Sequence, residues 1–146
     1  MKHWDPAVLP QVMAFFNQHI PFNRHIGLEL QEVREGFARV HIPFREELIG
    51  DPFRPALHGG VISTLIDTAG GAAAFTQVPP GGKVSTIDLR VDYLRPGEKK
   101  LLVAEASVTR MGNRVASVDV RVFHEGEEDR LIATGKAVYH VLHERR

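Results

Sequence analysis

The sequence predicts an α+β fold in which one antiparallel sheet wraps around a single long apolar helix. Three observations carry that expectation. Residues 59–77 are small or apolar on nearly every helical face and hold one charge, Asp67. Segments with strand-like patterning fill most of the chain after residue 82. The chain has 146 residues, the length of one domain. Helix and strands must therefore share one core, and a helix that is apolar all round needs protein on every side.

The elements follow in order. From Asp5 to Gln18, Val8, Leu9, Val12, Phe15 and Phe16 recur at helical spacing. Asp5-Pro6 reads as N-cap and first turn of a helix within residues 1–20, and Pro21 should end it. Ile26 to Val33 and Phe37 to Phe44 read as two strands joined at Glu35-Gly36. Gly50, Pro52 and Pro55 mark residues 45–57 as an irregular loop. The central helix follows over residues 59–77, stopped by Pro79-Pro80-Gly81-Gly82. In the next strand Ile87, Leu89, Val91 and Tyr93 alternate with Thr86, Asp88, Arg90 and Asp92. Leu101 to Arg110, Arg114 to Phe123 and Leu131 to Leu142 complete the antiparallel run.

Composition excludes several classes of function. Eighteen basic residues balance eighteen acidic ones, so no global field recruits nucleic acid. The absence of cysteine removes disulfides, thiolate metal sites and a thiol nucleophile. His25, His41 and His140 show no metal-ligand spacing, and neither metal nor redox cofactor is expected. Early charges and a proline oppose a signal peptide, and no segment has membrane-span length. A soluble cytoplasmic domain spanning residues 1–146, bound to no membrane, is expected.

Chemistry concentrates between residues 58 and 71. His58-Gly59-Gly60 stands where the apolar helix begins, and helix N-termini present N–H groups that favour developing negative charge. Glycines there let a ligand approach the backbone. Asp67 lies mid-helix among Leu65, Ile66, Thr68 and Ala69, a costly place for a carboxylate. It serves either a strand backbone or a reaction. Gly70-Gly71 and Ala72 to Ala74 clear side chains, as close packing against a sheet or a ligand requires. Gly59 and Asp67 are eight residues apart, about 12 Å along one helix. One reacting carbon cannot touch both ends. If both act on one bond, Gly59 comes from a second, antiparallel copy, as a two-fold dimer provides.

The run Leu57-His58-Gly59-Gly60 through Asp67 to Gly70-Gly71-Ala72, followed by Asp92-Tyr93-Leu94-Arg95-Pro96, resembles the signature of hotdog-fold acyl-CoA thioesterases of the phenylacetate-degradation (PaaI-like) type. The likeness in element order covers about residues 20–142. It implies a hotdog fold, homodimers joined sheet edge to sheet edge, and tetramers built from them. It implies that Asp67 is nucleophile or general base, that the Gly59 N–H of the other subunit polarises the thioester carbonyl, and that His58 supports that loop or the carbonyl end of the substrate, with Gly60 counted among the catalytic residues. Thr86, with Ser85 beside it, matches the hydroxyl that orients water. Arg110, Asn113 and Arg114 match the region facing the CoA nucleotide, with Lys99, Lys100, Arg90 and Arg95 as further cations. The family carries an amide side chain six residues before the histidine. Pro52 stands there instead, so Asp51 becomes the candidate for that role. Phe15, Phe16, Phe22, Phe53 and Phe75 are expected to line the acyl pocket, for short, medium or aromatic acyl groups. The rival readings are a non-catalytic acyl-CoA-binding module and a hotdog hydratase or dehydratase.

Overall fold

The computed structural model describes residues 6–143. Asp5, expected as the first N-cap, lies outside them. The opening segment is not one helix. A 3₁₀ turn at Pro6–Val8 leads into α1 (Leu9–Ala14), then a single π-helical stretch, Phe15–His19. Pro21 ends this run and also opens α2 (Pro21–Ile26), because the first helical position needs no N–H. Ile26 therefore belongs to a helix and not to the first strand. Asn17 anchors the segment, donating to the Leu30 carbonyl at 3.0 Å and accepting from the Leu30 N–H at 2.7 Å.

Strands β1 (Glu29–Arg34) and β2 (Phe37–Ile42) form the expected hairpin. The loop after them is more ordered than its prolines and glycine suggest. It holds a 3₁₀ turn and two short paired strands, β3 (Ile49–Asp51) and β4 (Ala56–Leu57). Helix α3 (Gly59–Phe75) follows, then β5 (Lys83–Tyr93), β6 (Leu102–Met111), β7 (Val115–His124) and β8 (Ala133–Leu142).

The six long strands form one antiparallel sheet in the order β1-β2-β6-β7-β8-β5. Helix α3 lies on one face of that sheet with Leu65, Ile66, Ala69, Ala72 and Ala73 at zero exposure, as the all-round apolar pattern requires. The expected hotdog arrangement, a sheet around a central helix, is the observed one.

Strand β5 departs from its sequence pattern at one residue. Its register with β8 slips between Thr86 and Asp88, leaving Ile87 as a β-bulge that is 57% exposed. Upstream of the bulge Val84 and Thr86 face α3. Downstream, Leu89, Val91 and Tyr93 do, while Ser85, Asp88, Arg90 and Asp92 point outward opposite the outer residues of β8. Simple alternation puts Ile87 inside and Thr86 outside. The extra residue reverses both, which is how bulges re-aim side chains.

The glycine pair in α3 divides its labour. A Cβ on Gly70 would land on the Tyr139 hydroxyl, so this glycine exists for helix–sheet contact. A Cβ on Gly71 would meet only a Tyr139 ring carbon at 3.6 Å. We expect Gly70→Ala to lower unfolding free energy by about 1–3 kcal/mol through overpacking. Gly71→Ala should raise it by up to about 1 kcal/mol through helix propensity. Urea denaturation of the two variants checks this opposition.

Candidate active site

Asp67 is half-buried on α3, and its side chain meets the re-aimed strand. Thr86 Oγ1 donates to Asp67 Oδ1 at 2.7 Å. Tyr139, directly opposite Thr86 in the β5–β8 ladder, donates its hydroxyl to the Asp67 backbone carbonyl at 2.8 Å. One row of the sheet therefore grips the residue twice, at its carboxylate and at its main chain. Burial, and next to it the Asp67 carboxylate, push the Tyr139 hydroxyl well above its ordinary pKa. Tyr139 thus stays a neutral donor. Sequence reading passed over it, although an inward tyrosine between Ala137 and Val141 needs a partner for its hydroxyl.

A cavity of about 620 Å³ opens beside this pair. Asp67, Thr68, Gly71 and Phe75 form its α3 wall, so it runs along the helix from the carboxylate toward Phe75. Phe15, Phe16, Ile20, Phe22 and Asn23 of the N-terminal helical segment also line it. Four of the five expected pocket phenylalanines are therefore present. Phe53 is not among them and stands 93% exposed on its loop. Asn23, which the sequence did not single out, is buried and donates to the Phe16 carbonyl at 3.1 Å.

The helix mouth has a different design. His58 is the N-cap of α3, and its ring Nδ1 accepts the Gly60 N–H at 2.8 Å. The ring proton of neutral His58 consequently sits on Nε2. The Val61 N–H goes to the His58 carbonyl at 2.9 Å. With Gly60 and Val61 so engaged, Gly59 is the first-turn amide for which no acceptor is found among the described residues. Its carbonyl is fixed by the Ser63 hydroxyl at 2.9 Å and the Tyr93 hydroxyl at 3.0 Å. Tyr93, at the end of β5, thereby ties the edge strand to the start of α3.

The remaining expected residues separate. Ser85 faces away from Asp67, opposite His140 on the outer side. Asp51 turns back on its own loop, accepting from the N–H groups of Phe53 at 3.0 Å and Arg54 at 3.2 Å. Those bonds, Arg54's first and then Phe53's, hold its carboxyl below the usual range. It does not line the cavity.

Arg110, Asn113 and Arg114 lie exposed at the end of the β6–β7 hairpin. The row Thr86–Tyr139–Ala116–Met111 runs straight across the sheet. The hairpin tip is therefore at the Asp67 end, about 14 Å away by three strand spacings. Lys99, Lys100 and Arg90 pair with carboxylates, and Arg95 donates to the Leu131 carbonyl. Arg110 and Arg114 have no ion-pair partner among the described residues. No cluster of three or more His, Asp or Glu among those residues could hold a metal, and no described helix is long and apolar enough to cross a membrane.

Comparison with known proteins gives a consistent result. The family model of the thioesterase superfamily matches residues 55–130, which include the whole α3–β5 site. The medium/long-chain acyl-CoA thioesterase YigI of Escherichia coli is 34% identical, the match covering 91% of this chain and 93% of the relative. A solved structure from Shewanella oneidensis, described as related to the thioesterase superfamily, superposes with TM-score 0.83 at 34% identity, over 92% of this chain and 95% of that one. A thioesterase family protein from Silicibacter pomeroyi gives 0.82 at 26%, over 92% and 98%.

Replacing Tyr139 by Phe removes the hydroxyl from the Asp67 carbonyl while keeping the ring. We expect a loss of about 1 kcal/mol in unfolding free energy, measured by urea denaturation.

Proposed function

Because the chain belongs to the thioesterase superfamily, we propose that it hydrolyses medium-chain acyl-CoA to free acid and CoA, with Asp67 as its reactive carboxylate. It is a thioester hydrolase; the acyl length and the residue roles are our reading. The observation that carries this reading is the Asp67–Thr86 pair at one end of an aromatic-walled cavity. Thr86 occupies Oδ1, which leaves Oδ2 to attack the thioester carbon or to take a proton from water. The cavity volume falls in the range of about 300–1,000 Å³ usual for small-molecule sites. The YigI relative's own description, medium/long-chain, supports an extended acyl tail.

The oxyanion formed on attack needs a donor. Gly59 is about 12 Å from Asp67 along α3, so the donor amide in this proposal comes from a second copy. Strand β5 is a sheet edge, carries the exposed Ile87 and runs into the exposed Leu94, an edge open to pairing with a second copy. Two copies joined there with antiparallel helices would set each Gly59 against the other copy's Asp67. A further pairing into tetramers adds nothing that this site requires. Arg110 and Arg114, without an ion-pair partner among the described residues, supply cations for the CoA phosphates. Water is the second substrate, and no step calls on a metal.

Thiol release from a panel of acyl-CoAs tests the proposal. Asp67→Asn should cut kcat by roughly 10²–10⁴-fold, the range of a lost general base. Thr86→Val, losing a hydrogen bond to a charged group, should cost about 10–100-fold. Full turnover in Asp67→Asn would remove the carboxylate from the mechanism.

A further inference from the structure

Beyond the cavity at Asp67 lies a second chamber of about 270 Å³, between the N-terminal helical segment and the turn after α3. Val8, Gln11, Val12, Val78 and the run Pro79–Gly81 contribute to its walls. Two residues belong to both cavities, Phe15 and Phe75. Their rings stack with centroids 6.0 Å apart and 14° between planes. The chambers are therefore neighbours separated by one aromatic pair.

The geometry orders the parts along a line. Asp67, Gly71 and Phe75 follow one another at i, i+4 and i+8 on α3, one stripe of the helix surface about 12 Å long. An acyl group whose carbonyl lies at Asp67 runs past Gly71, where no side chain intrudes, and ends against the Phe15–Phe75 pair. The two rings are held differently. Phe16 is buried and packs edge-on to both Phe15 and Phe75, at 5.5 and 6.1 Å. Phe15 is 45% exposed and sits at the start of the π-helical stretch, a backbone irregularity common at functional positions. Phe15 is accordingly the more exposed ring of the pair, Phe75 being half-buried on α3.

We propose that the second chamber is a binding site for the distal end of a long alkyl chain, and that Phe15 against Phe75 sets the acyl-length limit. This rests on the acyl-CoA reading above. With the rings stacked, chains that fit the first cavity are favoured. With Phe15 removed, the chambers join and longer chains bury more methylenes.

The test is the ratio of kcat/KM for a long saturated acyl-CoA to that for a shorter one, across a series from butyryl to palmitoyl. The ratio within each variant is independent of how much of the protein is folded. Phe15→Ala should raise it about fourfold for every methylene that gains the second chamber. Val8→Phe fills that chamber without touching the first, so Phe15→Ala/Val8→Phe should return the ratio to near the wild-type value. An unchanged ratio in Phe15→Ala, with wild type active, overturns the gate and leaves the thioesterase reading standing. A raised ratio that persists in the double variant overturns the chamber as the seat of the tail. Wild type inactive on every acyl-CoA overturns both.

Discussion

Asp67 sits on a helix enclosed by the sheet, and its position depends on one row of the β5–β8 ladder. Thr86 and Tyr139 face each other in that row and hold the residue at side chain and main chain. A half-buried carboxylate gains from a hydrogen bond, and the Thr86 bond that satisfies it also aims it. The Ile87 bulge is what brings Thr86 to the inner face. Gly70 is what lets Tyr139 approach the helix. Removing either would misdirect the Asp67 carboxylate or its main chain.

The fold was legible because its signals are long. A helix apolar on all sides and several strands of ten or more residues leave few architectures. The central helix begins at Gly59 as its cap sequence indicates and ends two residues sooner than expected, at Phe75. What escaped is local. A one-residue bulge leaves period-two alternation intact on paper while inverting its meaning. The first twenty residues carry a helical pattern, yet a π-helical stretch and a second proline-started helix interrupt it. Tertiary bonds from Asn17 to Leu30 decide that path, and spacing alone does not record them.

The structure brings some of the expected site residues together and separates others. Asp67 stood out as a charge without an amphipathic excuse, and Thr86 through the resemblance. Ser85 and Asp51, also expected at the site, are turned elsewhere by the backbone. Gly60 is expected among the catalytic residues, and the His58 ring takes its N–H. That cap also bears on the hydratase alternative. A histidine engaged in closing the helix, nine residues or about 13.5 Å from Asp67 along α3, does not join it over one acyl chain within a single copy. The non-catalytic module fits less well too, since Thr86 orients a carboxylate that mere binding of an anionic ester would not want.

The central claim is that each reaction centre combines Asp67 of one copy with the Gly59 amide of another. Gly59→Pro deletes that N–H at a position where helices accept proline, after a His58 backbone already extended (φ −61°, ψ 134°). Asp67→Asn and Gly59→Pro proteins, each inactive, are to be unfolded together, refolded and assayed for thiol release. Random pairing gives half hybrid dimers, each with one intact composite site, so about one quarter of wild-type turnover should return. Mixtures no more active than their components would contradict the shared site and put both groups, or a different donor, within one chain.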